Sequence, residues 1–498
     1  MRATTSSDAP APMIMISDWP TALLLGGWVA VALGIGTHDG RYALPSLALV
    51  VIGTVLVGAG VAAAGSRSGR RLRLPGAPAW AGPFALAAAA LTVGAAPLIW
   101  HPRYFAHGAG WTASQVLAAA GGLLAAASAL PAFGKLGTLK GRRWPFWTAL
   151  GLMSAAGVTM IAAAPQPHID VFFLLQGSTK GLLSGDDMYR QQWAATRASY
   201  YSHGLFDVYP YLPWTSVLLL PFRIIFGDIR YGLVASLAVA AELARRMTHG
   251  TAKPAVRYVP ALLPLLIALH PKVTYADQLS WTEPLLVALL AGMVLAAERG
   301  RTGIAIVCLM LALASKQHII LLLPLAALWP RFGLRRTLIS AGGALLLVLP
   351  WIIAGPHDFW HDAIDANTGL GYRADALCIA TWVHKEFGHD PGFALTGLGL
   401  LIAYAIAWRV RGDAFGFCAG AGLLVLALDI TNTQSFFNHY TLGMALVVMA
   451  VCVRQSQAEP ELAGRPEVSA LGGEAHERRR LEQPAPADLG HRIAPESG

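Results

Sequence analysis

A carboxylate and an imidazole stand two residues apart in Pro165-Gln166-Pro167-His168-Ile169-Asp170, at the mouth of a hydrophobic run in a chain where charges are scarce. A carboxylate there can take a proton from an attacking hydroxyl. It can equally cap a helix beginning at Val171. His168 reads either as a hydrogen-bond partner of Asp170 or as an inert surface histidine. Lys316-Gln317-His318 interrupts another apolar stretch. A lysine at that place is either a point charge with three donors for a lipid phosphate or a flank that snorkels to the headgroups. Arg223, inside the apolar stretch 212–226, is a second cation for a phosphate, and Arg373 a weaker third.

Further polar groups have two readings each. Ser280-x-x-Glu283 with Pro284 matches a capping box, which leaves Glu283 and Gln278 as alternative sugar contacts. Asp186 and Asp187 sit in a Ser-Gly-Asp-Asp turn; Asp187 and the following Tyr189 are otherwise placed to meet a substrate. Gln317, His318 and the late His439, with Asn432, Gln434, Asn438 and Tyr440, either line a cavity or solvate short loops. Carboxylates, amides and aromatic rings together suit a polyhydroxylated molecule, because rings stack on sugar faces while polar groups bind hydroxyls.

These residues must be positioned by membrane helices. Of 498 residues, 55% are hydrophobic and 13% charged, with a mean hydropathy of +0.51, well outside the soluble range. Fourteen apolar runs near 20–37, 44–64, 82–99, 112–131, 146–164, 229–246, 256–271, 281–297, 302–316, 318–330, 336–354, 393–410, 413–430 and 439–453 predict spans. The division of 302–330 is the least distinct. Lys and Arg gather in alternate connections, such as Arg67 to Arg73, Lys135 to Arg143, Arg245 to Arg257, Arg331 to Arg336 and Arg409 with Arg411. The positive-inside rule makes these cytoplasmic, with both termini. Segments 165–228 and 355–392 are then large extracytoplasmic loops, provided that 212–226 does not cross. The net charge of +9 is a topology signal and not a nucleic-acid patch.

The expected organisation is a cytoplasmic segment 1–19, a four-span unit 20–145, a membrane core 146–454 and a disordered cytoplasmic tail 455–498. No cleavable signal peptide is evident, so the first run reads as an anchor. Cys308, Cys378, Cys418 and Cys452 are scattered without CxxC spacing, which suggests neither a disulfide framework nor a zinc site. There is no GxGxxG unit, no P-loop and no inner loop long enough for a nucleotide-binding domain.

Several stretches taken in order resemble a known family: His168-Ile169-Asp170-Val171-Phe172; Leu182-Leu183-Ser184-Gly185-Asp186-Asp187-Met188-Tyr189; Tyr209-Pro210-Tyr211-Leu212-Pro213; Phe226-Gly227-Asp228-Ile229-Arg230-Tyr231; Gln278 to Pro284; and Ala314 to His318. Their order and spacing over roughly 165–450 resemble the type C membrane glycosyltransferases that use polyprenyl-phosphate sugars, in particular the actinobacterial α-(1→2)-mannosyltransferase-like branch. The four spans before residue 145 lie outside the likeness. The resemblance implies an all-helical polytopic bundle that transfers a sugar, mannose favoured, from a polyprenyl phosphate to an extracytoplasmic glycolipid or glycan acceptor at the plasma membrane. Asp170 would be the base. One carboxylate suffices for this chemistry because a phosphate leaves as a stable anion, whereas a glycosidase must protonate an alkoxide. No cofactor is needed, although loop carboxylates could bind a divalent metal. The alternative from another class is a polytopic transporter or flippase of a lipid-linked sugar, which would place ionisable residues and broken helices near the midplane.

Overall fold

A computed structural model describes residues 18–65, 77–78, 80–100, 104–130, 143–167, 169–191, 208–248, 260–369 and 372–463. Among these the chain is helical, with no β-strand. The chain forms two compact units, Met1–Ser456 and Gln457–Gly498. The four N-terminal helices and the rest of the bundle thus belong to one unit.

The N-terminal helices are α1 (Trp19–Gly36), α2 (Leu44–Gly65), α3 (Ala81–Ile99) and α4 (Gly108–Ala127). Then come α5 (Trp144–Ala163), α6 (Asp170–Ser184), α7 (Trp214–Phe226) and α8 (Arg230–Met247). The middle of the chain supplies α9 (Leu262–Leu265), α10 (Val273–Leu279), α11 (Glu283–Glu298), α12 (Thr302–Ser315) and α13 (Leu323–Leu328), the last preceded by a 3₁₀ turn Gln317–Leu322. The remainder is α14 (Gly333–Ala354), α15 (Pro356–Trp360), α16 (Ile379–Phe387), α17 (Gly392–Ala407), α18 (Ala414–Thr431) and α19 (Phe437–Ala463).

Eight described helices are long and apolar enough to cross a membrane, and ten result if each of two bent pairs counts as one span. The described residues thus show fewer than the fourteen spans expected from the sequence. The run 112–131 is helical as α4 but is not among the helices apolar enough. Within 260–271, the described part of the run 256–271, only the four residues of α9 are α-helical, and Leu262 to Leu269 are buried within the protein, where irregular backbone is tolerated at membrane depth. The runs 302–316 and 318–330 become helices of 14 residues and shorter, about 21 Å at most against a hydrocarbon core of about 30 Å. Helix α7 meets α8 at 113°, so 212–226 does not continue straight into 229–246.

The helices run between two polar ends, and the described cations of the alternate connections share one of them. There Arg245 lies over the rings of Phe146 and Trp147, Arg331 pairs with Glu298 at 3.1 Å, and Arg454 donates to Asp18 at 2.6 Å. Asp18 also caps α1 by accepting from Thr21 N. Close approach is built from small residues: a Cβ on Gly27 would meet the Gly53 carbonyl at 2.8 Å and one on Gly34 the Ser46 carbonyl at 2.9 Å, the small-residue packing by which membrane helices associate. Beyond Arg454, α19 runs on to Ala463, so the tail expected from 455 begins as helix. Residues 464–498 lie outside the described residues.

Candidate functional site

The opposite end is organised around one loop. The peptide groups of Tyr209 to Leu212 are gripped by four separate elements. Tyr209 N donates to Asp362 Oδ2 at 2.8 Å; the Pro210 carbonyl accepts from Gln317 Nε2 at 3.0 Å and Asn367 Nδ2 at 2.9 Å. The Tyr211 carbonyl accepts from the Tyr189 hydroxyl at 2.8 Å, and Leu212 N donates to the Ser315 carbonyl at 3.2 Å. Beneath it the Tyr209 hydroxyl, Ser216 and Ser178 form a buried chain with contacts of 2.5 and 2.6 Å. A backbone satisfied this way has little freedom. The Tyr211 ring is therefore a fixed feature, 7% exposed.

Tyr211 lies between two charged groups. On one side the Lys316 ammonium sits 5.9 Å from its ring centroid and donates to Glu283 Oε1 at 2.6 Å, with Thr282 Oγ1 at 3.4 Å. Glu283 is only 2% exposed. His439, Asp429 and His318 lie close enough to act electrostatically on this pair. Glu283 Oε2 and Asp429 Oδ2 have no hydrogen-bond partner among the described residues, which is expensive unless a ligand or water meets them.

On the other side stands Asp170, the first residue of α6. Burial pushes its carboxyl up to about 6, while the backbone amides of Val171 and Asp170 and the positive charge of Arg373 oppose the rise. A carboxylate at the first turn of a helix is also favoured by the dipole. Arg373 comes from the second large loop, holds Asp375 through two contacts of 3.0 and 3.1 Å and lies over the Phe436 ring. The two loops thus converge at this carboxylate.

The floor is stapled by a residue the sequence did not single out. Arg230 is fully buried. It pairs with Asp228 at 2.6 Å, donates to the carbonyls of Ala164 and Gln278 at 2.8 and 3.1 Å, and lies over the Phe172 ring. It ties the ends of α5, α6 and α10 together. The Asp-Ile-Arg of the stretch Phe226 to Tyr231 is therefore a structural clamp.

The sequence-derived candidates divide accordingly. Asp170, Glu283, Lys316, His318 and His439 share the site. Gln317 supports it by donating to Pro210 and Ala363. Tyr189 is buried against Tyr209 and Phe359 and acts as a prop. Asp187 Oδ1 accepts from Tyr189 N at 3.1 Å, the turn geometry anticipated for it; burial pushes its carboxyl up. Gln278 meets Phe105 N and Met160 Sδ, away from the charged pair. Arg223 reaches the Gly227 carbonyl at the end of α7, about 15 Å along the helix axis from the start that touches Ser315, so it shares no phosphate site with Lys316. His168 lies outside the described residues.

Two local readings are corrected. Ser280 has φ +65° at the end of α10, Thr282 precedes α11, and Glu283 turns to Lys316, so there is no capping box. Helix α6 begins at Asp170 itself, with Ile169 in the capping position and no side-chain cap, so Asp170 does not cap a helix starting at Val171. Tyr211 and Asp429 were missed. The first was visible only as part of the Tyr-Pro-Tyr-Leu-Pro run, and the second is a single acid inside an apolar stretch. No group of three His, Cys, Asp or Glu fit to hold a metal ion occurs among the described residues. Comparisons with protein-family models, with curated proteins and with solved structures find no match for this chain.

Proposed function

We propose that this chain is an integral membrane glycosyltransferase that moves a sugar, mannose favoured, from a polyprenyl phosphate to a glycolipid or glycan acceptor, with Asp170 as general base. The carrying observation is Asp170 itself: a half-buried carboxylate of raised pKa, still ionised at neutral pH, within electrostatic reach of a fixed tyrosine and an arginine. The acceptor hydroxyl attacks the anomeric carbon, its proton passes to Asp170, and the bond to the phosphate oxygen breaks with its electron pair leaving on the phosphate. Arg373, half exposed and paired with the partly buried Asp375, is better placed to receive that phosphate than Lys316, whose pair with Glu283 is largely buried. Lys316 and Glu283 then orient Tyr211 and present a free carboxylate oxygen to sugar hydroxyls. By the loop-charge rule the site is extracytoplasmic, both termini are cytoplasmic, and the protein is a multi-pass protein of the plasma membrane.

A second reading has its own observation. The chain breaks at Ser280 and at Lys316, and an ion pair sits where the breaks meet, an arrangement transporters use. Purified protein in nanodiscs separates the two. The proposal expects transfer from a polyprenyl-phospho-sugar and none from a nucleotide sugar. Solute or lipid-linked sugar movement across proteoliposomes with no transfer would replace it with the transporter or flippase.

A further inference from the structure

The four N-terminal helices are joined to the site end by both of their turns. Between α1 and α2, Asp39 pairs with the buried Lys272 at 3.2 Å, Arg41 reaches Asp375 at 3.9 Å and Tyr42 N donates to the Asp375 carbonyl at 3.0 Å. Between α3 and α4, Phe105 N donates to Gln278 Oε1 at 3.3 Å and His107 N to the Ala163 carbonyl at 3.1 Å. This second turn carries Tyr104 with φ +40°, a conformation that a bulky residue adopts only when its surroundings impose it and that gathers at ligand sites. Its ring is 40% exposed, meets Tyr275 edge-on at 5.5 Å, and begins an aromatic row that passes through Phe437, stacked on Tyr275 at 5.3 Å, to Trp281. Trp281 is two residues from Glu283. Asp170 and Arg41 are both near enough to act on the Tyr104 hydroxyl.

We propose that Tyr104 forms the acceptor-side wall of the chamber around Asp170, laying its ring against the acceptor sugar, so that the N-terminal helices are part of the site. This rests on the transferase reading. A strained, half-exposed aromatic ring at the head of an aromatic row leading to Trp281, within electrostatic reach of Asp170, offers a hydroxylated ring an apolar face and a hydrogen-bonding edge at once. The seams at Asp375 and Gln278 hold that ring in register with both loops.

The test uses full-length protein in nanodiscs, a polyprenyl-phospho-mannose donor and methyl α-mannoside as acceptor probe. Tyr104→Asn removes the ring but tolerates the left-handed backbone; Tyr104→Phe keeps the ring. The expected result for Tyr104→Asn is an acceptor KM raised about five- to tenfold, the loss of one aromatic contact, with donor KM and kcat within about twofold. Tyr104→Phe should stay within about threefold of wild type in acceptor KM. Calorimetric titration with methyl α-mannoside keeps the two proposals apart. Weakened binding in Tyr104→Asn when even the wild type transfers nothing would overturn the transferase and leave the wall standing. Equal binding and equal acceptor KM in Tyr104→Asn and wild type would overturn the wall.

Discussion

Lowering the pH from 7 to 5 should cost this protein about a tenfold loss of transfer rate. With the Asp170 carboxyl at about 6, about nine-tenths of the molecules carry the base at pH 7 and about one-tenth at pH 5. Burial raises that value and Arg373 opposes it, so Arg373→Ala should move the acid limb to higher pH. The same shift has a stability consequence of definite sign. The folded carboxyl titrates above its unfolded value of 3.8, so ionisation costs the fold. The penalty is absent below about pH 4, grows between about 4 and 6, and reaches up to about 3 kcal/mol at neutral pH. Asp170→Asn should therefore lower the rate by about 10²–10⁴-fold while leaving the protein at least as stable as wild type at pH 7. The assay is initial-rate transfer in nanodiscs from pH 4.5 to 8, paired with thermal unfolding of both variants. A rate that stays flat through pH 5, or an Asp170→Asn protein that is less stable than wild type at pH 7, would refute the reasoning.

In a cysteine-free background, cysteine at 187 or 365 should react with a membrane-impermeant maleimide in whole cells and cysteine at 335 should not; the reverse pattern would invert the topology and move the site to the cytoplasm. Lys316→Met, which strands the buried Glu283, should destabilise the protein by about 3–5 kcal/mol, and adding Glu283→Gln should recover much of that loss. Equal thermal unfolding of Lys316→Met and wild type would show that the pair carries no such coupling.

The large features were legible because they are written in averages. Hydrophobic runs gave the helices, and the loop cations marked one end of the bundle. What failed was anything decided by a single break or a distant partner. The window that read 281–297 as one span could not see that Ser280 turns left-handed and sets α10 and α11 at 112°. The capping-box motif at Ser280 competed for Glu283 on local grounds, yet a cation 33 residues away took it. Arg230 entered the sequence reading only as a member of the stretch Phe226 to Tyr231, and the folded chain shows it bound to Asp228 and to the carbonyls that end α5 and α10. Asp170, by contrast, stood out because a lone acid three residues after a proline at the edge of an apolar run is conspicuous without any tertiary knowledge.

The break between α10 and α11 has a consequence for the bilayer around the protein. A helix interrupted within an apolar sequence leaves peptide groups and side chains that hydrocarbon cannot satisfy, and here the Ser280 hydroxyl and a Glu283 oxygen are left over as well. Ser280, Thr282 and Glu283 are buried, so protein and not hydrocarbon encloses the kink, and the groups left over there face the interior of the bundle. On the proposed reaction, a long-chain lipid carrier would keep its tail among the acyl chains while its headgroup enters that polar interior. Such a carrier would reach the protein by lateral diffusion, and its encounter rate would be set by lipid fluidity and membrane thickness instead of by concentration in solution.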